Sequence, residues 1–302
     1  MTMEATVPRK AEELTWSESF RRRSIQTKIW VAFVTVVILI GSIGLMFPIF
    51  FMIITSLKTS DVADIVPILW LPGIQFPVHW SSYPDSLNFM NWTVVFGNSV
   101  KVSVLSMIGD TLSAAVVAYG FARFRAPGRD ALFILVLATL MIPYQVRLVP
   151  EYLGFAKLGL VDTLWPLILP PWFGSAFNIF LLRQFFMSIP MDMDEAAKID
   201  GAGPIRILTE VLLPQITPAL AAVAIFSFTY NWNDFLRPLI YLNSEQNRTA
   251  AVALSYFQST YGSSPWNLLM AASLVMLLPV VALFFVAQRY FIQGVVISGV
   301  KG

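Results

Sequence analysis

Long apolar runs separated by short polar segments dominate this sequence. The first run, residues 29–57, contains no charged residue. Further runs follow at residues 98–121, 131–149, 164–186, 215–235 and 267–290. A helix of about 20 apolar residues crosses the roughly 30 Å of hydrocarbon in a bilayer. The sequence therefore predicts an all-α, polytopic membrane protein with six transmembrane helices.

The composition supports a membrane protein and excludes several kinds of site. Apolar residues make up 57% of the 302 residues and charged residues 13%, whereas about a quarter of a soluble domain is charged. The net charge of +2 gives no argument for nucleic acid. With no cysteine and with His79 as the single histidine, we expect no disulfide, no cysteine nucleophile and no metal site.

The first apolar run is predicted to remain in the protein. It is far longer than the roughly 7–15 apolar residues of a signal peptide core, and no A-x-A cleavage site follows it. Residues 1–28 form an amino-terminal segment whose basic part, residues 20–28, either lies on membrane lipid or simply fixes the orientation of the first span.

The connection after the first span, residues 58–96, is rich in proline and aromatic residues and lacks helical periodicity. Its tryptophans and tyrosines are typical of a membrane interface, and His79 is interpreted as an ordinary loop residue. Proline also interrupts the fourth predicted span, at Pro166, Pro170 and Pro171. We expect a break there, with the freed carbonyls facing protein rather than lipid.

The distribution of arginine and lysine predicts the orientation. If the amino terminus is cytoplasmic, most of the 20 lysines and arginines fall on the cytoplasmic side, as the positive-inside rule requires. Both termini are then cytoplasmic, and so is the polar stretch 190–214 between the fourth and fifth spans.

The stretch 190–214 has the signals of a helix, a bend and a second helix. Pro190 suits a first helical turn, and Asp192, Asp194 and Glu195 would complement the amino-terminal end of the helix dipole. Gly201 can adopt the left-handed conformation that ends this helix.

The second helix would begin at Gly203-Pro204. Its apolar stripe is predicted to comprise Ile205, Leu208, Val211 and Leu212. Ala196 and Ala197, next to an exposed carboxylate, leave a surface on which another protein could dock. Alternatively, the acidic residues are only caps and the alanines only good helix formers.

Polar side chains inside spans are costly unless they pair or face water. They single out Asn178, Asn231, Asn233 and Asp234, which with the aromatic residues Trp172, Tyr230 and Trp232 could contact a sugar. The alternative is that they hold helices together, and Asp110 has the same two interpretations.

Other functional classes remain open at this point. An ion-coupled secondary transporter could use Asp110 or Asp234 as its ionisable site, although no inverted repeat is detectable. A membrane enzyme has little from which to build a catalytic site, because histidine is almost absent and no carboxylates cluster within a span.

Several motifs resemble one family of transport proteins. Glu195-Ala196-Ala197, Gly201 and Val-Leu-Leu-Pro at residues 211–214 resemble the EAA loop of binding-protein-dependent ABC importer permeases, with Val211 where isoleucine is usual. Other short motifs resemble those of the MalG-like permeases of carbohydrate importers. These motifs are Ala-Tyr-Gly-Phe-Ala-Arg-Phe at 118–124, Leu-Met-Ile-Pro at 140–143, Phe-Leu-Leu-Arg-Gln-Phe-Phe at 180–186, Trp-Asn-Asp-Phe at 232–235, Gln-Arg-Tyr-Phe at 288–291 and Gly-Val-Lys-Gly at 299–302.

The resemblance implies a type I importer permease fold over residues 29–302 and a coupling role for the loop 190–214. Such a loop sits in a cleft of a separate ATPase subunit. Glu195 would pair with a basic group of the ATPase, and Gly201 would set the angle of the loop. The coupling residues implied are Glu195, Ala196, Ala197, Asp200, Gly201 and Pro214.

The resemblance also implies partners and cargo. The chain contains no Gly-Lys dipeptide and hence no phosphate-binding loop, so ATP and magnesium would be used by a partner ATPase dimer. A second related permease would complete the pathway, and an extracytoplasmic solute-binding protein would contact the outer loop 237–265. Aromatic residues in this loop and at its flank fit that partner surface or, alternatively, the membrane interface; they are Tyr256, Phe257, Tyr261 and Trp266. The location implied is a bacterial cytoplasmic membrane. The cargo implied is a sugar, with a phosphorylated polyol or another small solute as the alternative.

Overall fold

The structure is a computed structural model that describes residues 25–59, 78–259 and 265–299. Every regular element among these residues is helical. The chain divides into one unit of residues 1–52 and a second of residues 53–302. All of the described part of the first unit, residues 25–52, belongs to α1 (Ile25–Ser56). Because α1 is apolar on all sides, it has the character of a membrane span.

The second unit contains the remaining helices. They are α2 (Ser82–Phe89), α3 (Trp92–Arg123), α4 (Arg129–Ala138), α5 (Tyr144–Lys157), α6 (Trp165–Ile168), α7 (Ala176–Ser188), α8 (Asp192–Ile199), α9 (Pro204–Gln215), α10 (Thr217–Trp232), α11 (Leu236–Tyr241), α12 (Ala250–Ser259) and α13 (Trp266–Gly299).

The predicted number of spans agrees with the structure if two bent helix pairs each count as one span. Among the described residues, four stretches are long and apolar enough to cross a membrane. They are Ile25–Ser56, Trp92–Arg123, Trp165–Ser188 and Trp266–Gln288. The predicted first, second, fourth and sixth spans are thereby confirmed as helical.

The third predicted span, residues 131–149, is wrong as a continuous helix. The chain leaves α4 through a 3-10 turn, Thr139–Met141, and α5 then runs at 98° to α4. Pro143 has no N–H to continue the helix, and a residue before proline is pushed out of the helical region. Ile142 accordingly has an extended backbone, with φ −86° and ψ 110°.

The fifth predicted span, residues 215–235, is also modified. α9 and α10 meet at 86°, and the two helices are long and apolar enough for a span only when they are taken together. The bend lies at Ile216, whose φ of −107° and ψ of 19° depart from helical values.

The predicted break in the fourth span is confirmed. α6 ends at Ile168, a 3-10 turn covers Pro170–Phe173, and α7 begins at Ala176. The freed backbone groups find partners on α3: the Ser106 hydroxyl donates to the Leu167 carbonyl at 3.3 Å, and the Ser175 N–H donates to Asp110 Oδ1 at 2.8 Å. The break therefore faces protein, as expected.

α3 is the central helix of the second unit and packs against α7, α10 and the 3-10 turn. Seven of its twelve buried positions carry small residues: Ser99, Ser103, Ser106, Gly109, Ala114, Ala115 and Ala118. Small residues let helix backbones approach closely inside a membrane. Only glycine fits at position 109, because a Cβ there would lie 2.4 Å from the Trp172 indole.

Two expectations for the loops are wrong. The connection 58–96 contains the helix α2, and α3 begins within it at Trp92. Phe257, predicted to face a partner, is fully buried against Phe89 and the core around Trp232. Residues 60–77 and Tyr261 lie outside the described residues, so the predictions for their aromatic side chains stay predictions.

Asp162 fastens two loops together at the end of the second unit that contains α11. It adopts a left-handed backbone, with φ 60°, and its Oδ1 accepts the N–H groups of Asn243 at 2.8 Å and Ser244 at 2.9 Å. Its Oδ2 accepts the Ser244 hydroxyl. The Ser244 hydroxyl, followed by the Ser244 N–H, lowers the pKa of the Asp162 carboxyl to about 2.

The Asp162 contacts predict a pH-dependent stability. Since the folded-state pKa lies below the ordinary value of 3.8, the stabilisation is complete above about pH 4 and is lost as the pH falls toward 2. Asp162→Asn, which keeps a residue that tolerates the left-handed region, should lower the free energy of unfolding at pH 7 by about 1–3 kcal/mol.

Thermal unfolding of the purified protein between pH 7 and pH 2 measures this effect. The wild type should lose stability below pH 4 by more than Asp162→Asn does. Asp85→Asn, a change of an exposed aspartate on α2, is the control and should behave as the wild type. Equal pH profiles for wild type and Asp162→Asn would contradict the interpretation.

Candidate functional site

The short helix α8 ends in a Schellman motif at Gly201. The Ala202 N–H donates to the Ala197 carbonyl at 2.9 Å, and the Gly201 N–H donates to the Lys198 carbonyl at 3.0 Å. Gly201 has φ 78°, which confirms its predicted left-handed conformation. The motif turns the chain sharply between α8 and α9.

The exposed side of α8 is close to the predicted one, with one correction. Glu195, Ala196 and Asp200 are exposed, and so is Pro214 at the end of α9. The prediction that Ala197 shares the exposed surface is wrong, because Ala197 is buried in the core with Leu208 and Leu212. Ile199, by contrast, is 86% exposed.

The apolar stripe of α9 also differs from the prediction. Residues Ile207–Leu212 form a π-helical turn, which is wider than an α-helical turn and rotates the following side chains. Ile205, which precedes this turn, is 79% exposed, whereas Ile207 is buried beside Leu208 and Leu212. Ile199 and Ile205 place two large apolar side chains on the outside of a polar loop.

Arg123 at the end of α3 holds α8 in place. Its Nη2 lies 3.2 Å from Asp194 Oδ2 and donates to the Ile189 carbonyl at 3.0 Å. The two charged side chains are only 5% and 4% exposed. Asp194 was predicted only to complement the helix dipole, because no local signal indicates that its charge pairs with a residue 71 positions earlier.

Two further contacts join the same region to the helices. The Tyr119 hydroxyl donates to the Pro204 carbonyl at 3.2 Å. Arg183 on α7 donates to the Phe121 carbonyl at 3.4 Å and lies over the Phe133 ring at 4.1 Å. The loop formed by α8 and α9 is thus fixed to α3, and α7, which leads into it, is tied to the same end of α3.

A cavity of about 490 Å³ lies at the break between α6 and α7, away from this loop. Of the predicted pathway residues, Asn178, Tyr230 and Asn231 line it, together with Asp110. The structure does not bring the other three to the same wall. The Trp232 indole is buried and donates to the Met276 carbonyl at 3.1 Å, whereas Asn233 and Asp234 line a separate, open apolar depression beside Phe284.

Most polar atoms around the cavity already have protein partners. Asn231 accepts from Arg237 Nη2 at 2.9 Å and donates to the Ser227 carbonyl at 2.7 Å. Arg237 also pairs with Asp234. Asp110 accepts the Asn178 amide at 2.8 Å in addition to the Ser175 N–H. Asn231 and Asp110 therefore serve largely as the helix-joining groups of the alternative interpretation.

The described residues offer no candidate metal centre, since none of them form a group of three histidines, cysteines or carboxylates. No metal ligand set had been expected from the sequence.

Comparison with known proteins identifies related sequences. Residues 111–297 match the family described as "Binding-protein-dependent transport system inner membrane component". An arabinooligosaccharide transport permease of Halalkalibacterium halodurans is 37% identical over 70% of this chain and 75% of its own. The sn-glycerol-3-phosphate transport permease UgpE of Rhizobium meliloti is 32% identical over 86% of this chain and 93% of its own.

A solved structure has the same fold. One chain of a bacterial ABC transporter involved in the import of the acidic polysaccharide alginate superposes with a TM-score of 0.76, at 22% identity, over 89% of this chain and 99% of its own.

The buried pair between Arg123 and Asp194 predicts a large stability effect. Asp194→Asn leaves the Arg123 charge buried without its counter-charge and should cost about 3–5 kcal/mol. Asp192→Asn, in the same helix but exposed, should cost less than about 1 kcal/mol. Thermal unfolding of the purified variants measures both, and equal losses would refute the importance of the pair.

Proposed function

Because the chain belongs to the family of binding-protein-dependent transport system inner membrane components, we propose that it forms half of the membrane pathway of an ATP-driven sugar importer. The family consists of multi-pass membrane transport components rather than enzymes. The observation that carries the proposal is the loop of α8 and α9, which is anchored to α3 on one side and exposed on the other.

The loop 190–214 is the coupling site for the ATPase. Glu195 presents a carboxylate next to the small residue Ala196, and Ile199 and Ile205 supply apolar surface on either side of the Gly201 turn. Exposed apolar residues beside a charge are characteristic of a protein-docking surface. Ala197, Asp200, Gly201 and Pro214 shape this surface, Ala197 by packing inward.

The coupling site requires the loop to be cytoplasmic, and both termini then lie in the cytoplasm. The distribution of lysine and arginine along the sequence supports this orientation. In a bacterial cytoplasmic membrane, the opposite end of the unit, with α11 and the Asp162 contacts, faces outward and can receive the solute-binding protein.

The remaining partners follow from the same proposal. A second related permease pairs with this chain and completes the pathway. An ATPase dimer binds ATP and magnesium, and this chain binds no cofactor of its own. The open apolar depression lined by Phe226, Tyr230, Phe235 and Phe284 is a surface that the second permease or lipid would cover.

The charges around the cavity favour a neutral sugar as cargo. The cavity wall contains the acidic residues Asp110 and Glu151 and the basic residues Arg147 and Arg237. Asp234, which does not line the cavity, forms an ion pair with Arg237. Acidic groups therefore outnumber basic groups by one. A phosphate, with close to two negative charges, would meet net repulsion, which argues against the phosphorylated polyol.

Reversal of the Glu195 charge tests the coupling site. Glu195→Lys should lower sugar uptake at least about 10-fold, because removal of one partner from a docked charge pair costs about 2–5 kcal/mol, while the protein still inserts into the membrane. Asp130→Lys, exposed on α4 and outside the loop 190–214, is the control for a general effect of charge. Wild-type uptake and ATPase stimulation in Glu195→Lys would count against the docking role.

Uptake measurements on the complete importer test the cargo. We expect transport of at least one neutral oligosaccharide from a panel containing arabinotriose, maltotriose and cellobiose, and no transport of sn-glycerol 3-phosphate. Uptake of glycerol phosphate alone would replace the sugar with the phosphorylated polyol.

A further inference from the structure

Three residues that line the cavity at the α6–α7 break have a buried side-chain oxygen without a hydrogen-bond partner within the described part of the chain: Tyr144, Asn178 and Ser227. Two of these oxygens, Asn178 Oδ1 and Ser227 Oγ, belong to residues on α7 and α10 that are each only 4% exposed. A buried polar atom without a partner costs free energy. A ligand in the cavity that hydrogen-bonds to both Asn178 Oδ1 and Ser227 Oγ would remove this cost.

The orientation of Asn178 is fixed by its neighbour. Its amide nitrogen donates to Asp110 Oδ2 at 2.8 Å, and a carboxylate can only accept, so the free atom must be the amide oxygen. Asn178 thus offers an acceptor to a hydroxyl group in the cavity.

Ser227 differs from several other hydroxyl residues in these helices. Thr35, Ser42, Ser113, Thr209 and Ser273 each donate to the carbonyl four positions earlier, the usual way in which serine and threonine are satisfied inside a helix. Ser227 does not, although Val223 four positions earlier also lies in α10. Its hydroxyl is left as both a donor and an acceptor.

Tyr230 adds an aromatic surface one turn further along α10. The ring is exposed and lines the cavity, and the Arg237 guanidinium lies 5.3 Å from its centroid. Since Arg237 covers one side of the ring, the other side remains for an apolar sugar face. A mostly apolar cavity of about 490 Å³ with a few placed polar groups is typical of a small-molecule site.

We propose that this subunit itself holds a binding site for a neutral sugar, between α7 and α10. Asn178 Oδ1 accepts from one sugar hydroxyl, Ser227 Oγ exchanges a hydrogen bond with another, and Tyr230 packs against the ring. The proposal rests on the proposed function. The rings of Phe177 and Phe226, 6.4 Å apart, join α7 to α10 beside the two oxygens. Both oxygens are covered in this conformation, so binding requires a small separation at that aromatic pair.

Replacement of Ser227 by alanine separates a binding role from a structural one. If Ser227 only packs, Ser227→Ala removes an unsatisfied hydroxyl and leaves stability equal or higher. If it binds sugar, uptake falls. The matched control is Ser103→Ala, because Ser103 is equally buried, has an unpartnered hydroxyl and does not line the cavity.

The experiment uses the complete importer in proteoliposomes, with saturating binding protein and the best-transported sugar of the panel above. We expect Ser227→Ala to lower the uptake rate roughly 3- to 10-fold, the effect of one lost hydrogen bond. Ser103→Ala should match the wild type, and Ser227→Thr, which keeps the hydroxyl, should restore uptake. Thermal unfolding temperatures of both alanine variants should equal or exceed that of the wild type.

The possible outcomes are distinct. Equal uptake by Ser227→Ala and Ser103→Ala overturns the binding site and leaves the proposed function standing. A lower unfolding temperature in Ser227→Ala, with proportionate loss of assembled protein, also overturns it. Absence of sugar uptake by the unmodified importer overturns the proposed function, and this inference with it.

Discussion

A helix that breaks within hydrocarbon must find hydrogen-bond partners for the backbone groups it frees, and this requirement organises the second unit. The partners come from α3, where Ser106 and Asp110 reach the break between α6 and α7. Because α3 carries small residues along its buried side, α7 and α10 can approach it closely. The cavity exists because the chain turns away at the break while α3 continues straight past it.

Charge is treated in the same way at both ends of the unit. Arg237 is held by Asp234 and Asn231 beside the cavity, and Arg123 is held by Asp194 and a backbone carbonyl beside the coupling loop. These pairs bring opposite charges together where both are shielded from water. Among the buried polar atoms that still lack a hydrogen-bond partner, Asn178 Oδ1 and Ser227 Oγ are notable because both residues line one cavity.

The sequence predicted what depends on local signals. Apolar run length located the spans, the three prolines located the break, and Gly201 located the turn after α8. It could not predict what depends on distant packing. The Arg123–Asp194 pair joins residues far apart in the chain, the packing of α9 buries Ile207 rather than Ile205, and Ser227 has the sequence context of an ordinary helix serine. Pro143 did carry a local signal for the break in the third span, because proline after an apolar helix commonly ends it.

The Arg123–Asp194 pair lies within one chain, and this has a consequence for assembly. Any surface that docks must lose orientational freedom, and side chains and loops ordered only on contact weaken the association. Here the direction of α8 is set during folding, by a charge on α3 and a turn at Gly201. A partner that binds later contacts a helix whose orientation is already set. Less free energy is then spent on ordering α8, and the affinity is correspondingly higher.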